Sequence, residues 1–175
     1  MTESIVVASF NVESEAFQAL SEIKNAPKAE GLYKAIQGVV VKKEDGQIVQ
    51  KDDFDTGAET SNDLLKGGAI GALIGLLGGP VGVLVGGGIG LFIGSGADTH
   101  DAKENASMIQ RVSETINDGS ICLIVLVKEK ETGSFDHAFS KYAVSISRFS
   151  VEELLEEVKK AEKAERKQEE EIELP

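Results

Sequence analysis

The sequence has little of what most catalytic proteins depend on. Aromatic residues make up 5% of its 175 residues, tryptophan is absent, and there are two histidines and one cysteine. A single cysteine, Cys122, excludes an internal disulfide framework. Its position in the apolar run "SICLIVLV" predicts a strand in which the thiol is a small buried side chain.

Positive charge is also scarce, since 18 lysines and arginines stand against 30 aspartates and glutamates, for a formal net charge of −12. Binding to a nucleic-acid backbone or to anionic lipid needs clustered basic residues. We therefore expect no nucleic-acid partner, and any membrane contact must be hydrophobic. The start, "MTESIVVASF", lacks the basic and long apolar regions of a signal peptide, which predicts a cytoplasmic protein. Association with the inner face of the membrane is expected from the apolar glycine-rich block described below.

No group of residues has the spacing of a known catalytic or metal site. His100 stands between Asp98 and Asp101 without a second histidine or a cysteine nearby, which is typical of a solvated helix start. His137 has no nucleophile at a suggestive spacing, and the chain contains neither G-x-S-x-G nor C-x-x-C. We expect no enzyme activity, no cofactor and no metal.

The elements outside the glycine-rich block follow the order β-α-β-β-α-β, which is that of a ferredoxin-like α+β fold. Asp45 and Gly46 predict a tight hairpin between two of the strands. The predicted elements are a strand at 4–10, a helix at 12–23, strands at 35–43 and 47–54, a helix at 102–116 and a strand at 120–127.

Further elements follow this unit. Ser134 predicts the start of a short helix, and the alternation over 144–150 predicts a fifth strand. Ser150 and Glu153 fit a reciprocal capping box, which opens a helix with Val151, Leu154, Leu155 and Val158 on its apolar face. The acidic end of this helix is expected to be solvated.

Between the third strand and the second helix lies "GGAIGALIGLLGGPVGVLVGGGIGLFIGSGA". It has no Lys for a phosphate-binding loop, which argues against a nucleotide site. Its glycines recur every four residues, so each series falls on one face of a helix and lets another backbone pack closely. The two series are Gly67, Gly71, Gly75 and Gly79, and then Gly78, Gly82, Gly86, Gly90 and Gly94.

The remaining large side chains of this block form the opposite faces, which are expected to face a membrane or a protein core. They are Ile70, Leu73, Ile74 and Leu77 in the first half, and Val81, Val85, Ile89, Phe92 and Ile93 in the second. Pro80 is suited to a first helical turn, so the block predicts a helical hairpin with legs at 61–77 and 80–97. Each glycine costs about 1 kcal/mol relative to alanine in a helix, so the hairpin needs a packing partner.

The hairpin is short for a membrane span. The charge-free part of the first leg, 67–79, is roughly 20 Å long, and the second leg is roughly 27 Å, against about 30 Å for a bilayer core. Three arrangements remain open. The hairpin crosses a thinned bilayer, enters one leaflet and returns, or is buried inside a soluble oligomer.

With this hairpin inside a short α/β unit, followed by an amphipathic helix and "ICLIVLV", the chain resembles a prokaryotic family of uncharacterised proteins labelled as predicted membrane proteins. The resemblance covers most of residues 1–150. It implies a glycine-zipper hairpin within a ferredoxin-like body and implies no activity or cofactor. The acidic segment after Ser150 is expected to be an addition to the family pattern.

These observations predict three parts: an α/β body at 1–60 and 98–149, a glycine-zipper hairpin at 61–97, and an acidic C-terminal helix at 150–175. We expect a non-enzymatic homo-oligomer whose hairpins pack together in or on the membrane, with lipid contact through 67–97 and a structural, stress-related or membrane-remodelling role. The alternative is a soluble ring, shell or filament with the hairpins in a shared core. A small-ligand sensor ranks below both.

Overall fold

The structure is a computed structural model that describes residues 1–25, 31–58, 68–78, 107–142 and 144–172. The second hairpin leg at 80–97, His100 and the predicted helix start at 102–106 lie outside the described residues. The elements are β1 (Thr2–Phe10), α1 (Glu13–Asn25), β2 (Tyr33–Glu44), β3 (Gln47–Asp55), α2 (Gly68–Gly78), α3 (Met108–Thr115), β4 (Ile121–Glu129), a 3-10 helix (Ser134–Phe139), β5 (Val144–Ser150) and α4 (Val151–Ile172).

The five strands form one sheet in the order β3-β2-β4-β1-β5, and every neighbouring pair is antiparallel. The predicted hairpin is confirmed: β2 and β3 pair, and Asp45 and Gly46 between them have φ values of 52° and 77°. Two positive φ angles in a two-residue connection match the right-handed twist of the strands. The fifth strand is also confirmed, at the edge beside β1.

The mixed α+β class is confirmed, but the ferredoxin-like arrangement is not. Here β1, β2 and β4 lie inside the sheet, β3 lies at an edge, and helices cover both faces. A ferredoxin-like unit has its first and third strands inside and its helices on one face. The strands give the physical reason. The seven residues of β4 from Ile121 to Val127 are all apolar and all buried, so this strand needs cover on both sides.

We call the side of the sheet under α2, α3 and α4 the helical face. Its core is almost entirely aliphatic, with side chains from β1, β2 and β4 packed against the three helices. The first turns of α4 belong to this core, because Val151, Leu154 and Leu155 are buried there and Val158 is half-buried. The apolar side predicted for this helix is therefore confirmed.

We call the opposite side, under α1 and the 3-10 helix, the aromatic face. Its core holds Phe10, Phe54, Phe135 and Phe139 together with aliphatic residues of β1, β4 and α1. Phe135 and Phe139 pack edge to face, with ring centroids 5.1 Å apart. Such packing adds to the stabilisation that burial alone provides.

Two helix starts are capped by serine. The Oγ of Ser107 accepts a hydrogen bond from the amide of Gln110 at the start of α3, at 3.2 Å. The Oγ of Ser150 accepts from the amides of Glu152 and Glu153 at the start of α4, as the sequence predicts. The reciprocal half of the predicted capping box is replaced, because Glu153 forms an ion pair with Arg111 of α3.

Candidate helix-packing surface

The first half of the glycine-rich block forms α2, which lies on the sheet. Ile70 and Leu73 are buried in the core of the helical face, and Ile74 and Leu77 are half-buried against it. Leu76 is buried as well, although the sequence did not single it out. Full burial of a side chain such as Leu73 contributes about 1.5–3 kcal/mol, so these contacts hold α2 against the body of the same chain.

The glycines of α2 lie on its other side. Gly71, Gly75 and Gly78 are exposed and share one helical face, because they are separated by four and three residues. A methyl group added at Gly71 or Gly75 would meet no atom within 4 Å among the described residues. One added at Gly78 would only touch the carbonyl oxygen of Ile48, at 3.9 Å. We call these three residues the glycine surface.

The start of α2 is fixed by a buried glutamine. Gln37 is 7% exposed, and its Oε1 accepts a hydrogen bond from the amide of Ile70 at 3.3 Å. Its Nε2 donates to Asp55 at 2.8 Å. Gly68 has a φ of 83°, and a β-carbon there would lie 1.9 Å from the Gln37 Nε2. This position therefore needs glycine for both its backbone angle and its space, and Gln37 orients α2 on β2 and β3.

A cavity of about 220 Å³ lies where α2 meets β2 and β3. Gln37, Asp53 and Asp55 contribute its polar wall, while Ile74 and the exposed Gly71 contribute the side formed by α2. The two carboxylates already accept hydrogen bonds, since Asp53 binds Gln50 and Asp55 binds Gln37 and the amide of Gly57. Asp55 also lies near the positive end of the α2 dipole, which favours a negative charge.

A buried ion pair on the aromatic face was not found by sequence reasoning. Glu129 is 1% exposed, and its carboxylate accepts bonds from Arg148 at 2.7 and 3.3 Å. The amides of Gly133 and Phe135 also donate to it, at 3.2 and 2.8 Å, and Arg148 makes a second ion pair with Asp136. Glu129 thereby ties the start of the 3-10 helix to β5. Its charged partner Arg148 lies 19 residues away on β5, so no local sequence pattern predicted the pair.

Cys122 occupies the place that the sequence predicted, within β4 and fully buried. Its Sγ lies 3.3 Å from the Oγ of Ser9 on β1. Burial raises the pKa of the thiol above its usual value, although the hydroxyls of Ser9 and Ser120 act in the opposite direction. A thiol with a raised pKa is a poor nucleophile, so Cys122 serves as a core residue.

The described part of the chain contains no cluster of three or more histidine, cysteine or acidic side chains placed to hold a metal ion. His137 lies on the 3-10 helix, beside Asp136 in sequence. Among the residues that the structure describes, no helix combines the length and the apolar character needed to cross a membrane.

The structure therefore places only part of the predicted packing residues. Gly71, Gly75 and Gly78 share the exposed side of α2, while Ile70, Leu73, Ile74 and Leu77 point to the body. The others lie outside the described residues, and their roles stay predictions. They are Gly67, Gly79, Gly82, Gly86, Gly90 and Gly94, with Val81, Val85, Ile89, Phe92 and Ile93.

The fold and this surface define an α+β protein with a five-stranded antiparallel sheet and an exposed glycine side on one of its helices. The chain belongs to the family described as "Protein of unknown function (DUF1269)", whose model matches residues 64–163. A search of curated proteins and a search of solved structures each gave no match.

The family match confirms the expected resemblance at the level of a domain of unknown function. The matched residues include α2, α3, β4, β5 and the first half of α4. The segment after Ser150 was expected to be an addition, but the family pattern continues through it to residue 163. This agrees with the buried position of its first turns.

Proposed function

We propose that this protein is a non-enzymatic, self-assembling protein whose copies pack through the glycine surface of α2. One observation carries the proposal: α2 buries its large side chains in its own body, while Gly71 and Gly75 are exposed with no described residue within 4 Å of an added β-carbon. Glycine weakens a helix by about 1 kcal/mol per residue relative to alanine. Steric need within the described fold does not explain these glycines, because a β-carbon would fit at both positions.

Close packing against the backbone of another helix explains why glycines occupy these positions. Helices with small residues four apart approach each other closely and gain dispersion contacts along their length. A second α2 from another copy presents the same surface, so a two-fold pair is self-complementary. The surface is also free of charge, although the whole chain carries a net charge of −12. Two acidic bodies can therefore meet there without bringing like charges into direct contact.

Membrane association is the second part of the proposal and depends on the sequence of 79–97. This stretch has no charged residue, and it carries Val81, Val85, Ile89, Phe92 and Ile93. In α2, by contrast, Ile70, Leu73 and Leu76 are buried against the body and are unavailable to lipid. Lipid contact within the predicted hairpin is therefore assigned to its second leg, with the body on the cytoplasmic side.

A soluble ring, shell or filament is the competing function, and the docked position of α2 favours it over a two-legged membrane hairpin. In that case 79–97 packs with its counterparts in a shared core. A small-ligand sensor is a third candidate, for which the cavity beside α2 is the relevant observation. Its modest volume and its carboxylates, already engaged in hydrogen bonds, give it less support than the glycine surface.

The test of assembly compares leucine with alanine at the same two positions. The Gly71→Leu/Gly75→Leu variant fills the glycine surface with bulky side chains and is expected to lose self-association in light scattering or sedimentation. The Gly71→Ala/Gly75→Ala variant keeps small residues four apart and is expected to retain it, with a helix that is more stable by up to about 2 kcal/mol. Assembly of the leucine variant at wild-type concentrations would overturn the proposal.

The test of membrane association is fractionation of the native protein, followed by mass measurement with and without detergent. A membrane-associated protein is recovered with the membranes and needs detergent for extraction. Recovery of the whole protein in the soluble fraction, as a defined oligomer, would remove the membrane part and leave the soluble assembly. Binding to vesicles of neutral lipid by the full chain, with insensitivity to salt, is expected of hydrophobic attachment.

A further inference from the structure

The two edges of the sheet differ in how they are protected against pairing with another strand. At one edge, β3 carries Lys51, Asp52, Asp53 and Asp55. Its ladder with β2 also shifts register between Val40 and Val41, so Lys51 is the extra residue of a β-bulge. Charges and bulges are the common devices that keep an edge strand from pairing with a second chain.

The other edge, β5, lacks these devices. Its seven residues pair with β1 in one unbroken register, from Ser4 opposite Ser150 to Phe10 opposite Val144. It contains neither proline nor glycine, and its only charged residue is Arg148. Among the described residues, the backbone hydrogen bonds of β5 within the sheet go to β1 alone. Alternate residues of an edge strand direct their amides and carbonyls away from the neighbour, so β5 offers an outward row of such groups.

Arg148 does not prevent another strand from pairing with this edge in the way that an unpaired charge would. Its guanidinium is held on the aromatic face by the buried carboxylate of Glu129 and by Asp136. An added strand would therefore approach a charge that is already neutralised. The side chains on the other side of β5 near its middle, Ser145 and Ser147, are small and uncharged.

We propose that the outer edge of β5 pairs with β5 of a second copy, in an antiparallel, two-fold arrangement that joins two sheets into one of ten strands. A pair centred on Ser147 sets Arg148 opposite Ile146 of the partner subunit, so the two arginines do not face each other. The same pairing through β3 would have to accommodate a bulge and three carboxylates on each strand. The charge distribution thus selects β5 as the edge that accepts an identical chain.

This edge is separate from the glycine surface on α2. If both surfaces are used, which depends on the proposed function, each chain has two different two-fold contacts. Alternating two-fold contacts build a closed ring when the geometry allows closure and a filament when it does not. A single contact gives only a dimer.

The experiment measures amide hydrogen exchange of β5 in the full-length protein over a range of protein concentrations. Pairing of two β5 strands protects the outward amides as the concentration rises, with an expected slowing of about tenfold or more, while β3 is unchanged. Fast exchange of alternate β5 amides in the assembled protein would overturn the proposal. Protection that persists in the dilute monomer would overturn it too, because another part of the same chain would then cover the edge.

Two matched variants complete the test. Ser145→Lys/Ser147→Lys sets two positive charges opposite each other at position 147 of the two-fold pair and adds a diagonal charge at 145, so it is expected to abolish the concentration-dependent protection. Gln47→Lys/Gln50→Lys adds the same charges to β3 and is expected to leave the protection intact. Equal behaviour of the two variants, with both folded, would contradict pairing through β5. Loss of the β5 contact with an intact response to Gly71→Leu/Gly75→Leu would leave the proposed function standing.

Discussion

The aromatic face and the helical face bury opposite sides of the same strands, yet they are closed by different side chains. On the aromatic face, Phe10, Tyr142, Phe135 and Phe139 contact one another edge to face, and Tyr33 packs on Phe135 at 5.1 Å. The helical face is closed by aliphatic side chains of three helices, and one of these helices turns glycines outward. In the described part of the chain, α1 and the 3-10 helix cover the aromatic face, whereas the helical face carries exposed glycines on α2, the surface that we propose for packing with another copy.

This difference separates stability from assembly. Large aromatic rings fill space within a single chain, while exposed glycines leave space that a second backbone can enter. Substitutions on the aromatic face should therefore change unfolding and leave association alone. Bulky substitutions on the glycine surface, such as Gly71→Leu/Gly75→Leu, should chiefly change association.

The largest expected effect tests the aromatic face. Glu129→Ala removes the carboxylate that pairs with Arg148 and that accepts the amides of Gly133 and Phe135. The variant loses the ion pair between a buried carboxylate and the half-buried Arg148, which keeps Asp136 as its remaining partner, and it leaves two amides without their acceptor. These losses are expected to cost about 3–5 kcal/mol in urea unfolding. Glu131→Ala, at an exposed position two residues away, is the control and should change stability by less than about 0.5 kcal/mol. A loss below about 1 kcal/mol for Glu129→Ala would contradict the role assigned to this pair.

The next prediction asks whether α2 belongs to the helical face in solution. Leu73 is fully buried between α2 and the sheet, so Leu73→Ala is expected to lower the free energy of unfolding by about 2–5 kcal/mol. Leu32→Ala, at a side chain that is 47% exposed, is the control with little expected change. If α2 left the body for another environment, Leu73→Ala would behave like the control.

The sequence predicted those features of the two faces that depend on neighbouring residues, and it did not predict those that depend on contacts between separate elements. Asp45 and Gly46 predicted their hairpin because the conformation of a two-residue turn depends on the turn residues themselves. The continuous apolar run of β4 predicted a buried strand. The strand order was not predictable, since it depends on pairings such as β1 with β4 across more than a hundred residues. The sequence also did not predict the buried position of Glu129 or the capping role of Gln37, because the groups that bind these side chains belong to other elements.

The glycine-rich block also shows what a sequence pattern alone does not determine. Its spacing predicted the first helix and the shared side of Gly71 and Gly75, but periodicity alone did not tell which surface would receive Ile70 and Leu73. A membrane and a protein core select the same side chains, so the sequence left both open. The structure assigns these two residues to the core of the helical face.

A smaller effect is expected at the start of α2, where two neighbouring glycines should respond oppositely to alanine. Gly68→Ala forces a β-carbon against Gln37 at a positive φ, and we expect a loss of about 1–3 kcal/mol. At Gly71 an added β-carbon has no described residue within 4 Å, so Gly71→Ala should gain up to about 1 kcal/mol. Thermal unfolding of both variants measures the difference. The same sign for both would mean that Gln37 does not fix this helix start.

The smallest effect concerns an exposed ion pair that joins α1 to the segment after the 3-10 helix. Lys141 donates a hydrogen bond to Glu22 at 2.5 Å, which lowers the pKa of the carboxyl below its ordinary value of 4.5, with Gln18 and Tyr142 also donating to it. A lowered pKa means that the stabilisation is present above the unfolded pKa and is lost as the pH falls through the folded pKa. The same contact raises the pKa of Lys141, so its contribution is lost only as the pH rises through that folded pKa.

Glu22→Gln should therefore be slightly less stable than the wild type at neutral pH and equal to it once the pH lies well below the lowered folded pKa of the Glu22 carboxyl. Solvent screens this pair, and the difference should shrink further in high salt. Urea unfolding at several pH values, with Glu15→Gln at a half-buried position of the same helix as the control, measures it. A difference that persists unchanged into strong acid would show that Glu22 acts through packing on the aromatic face instead of through its charge.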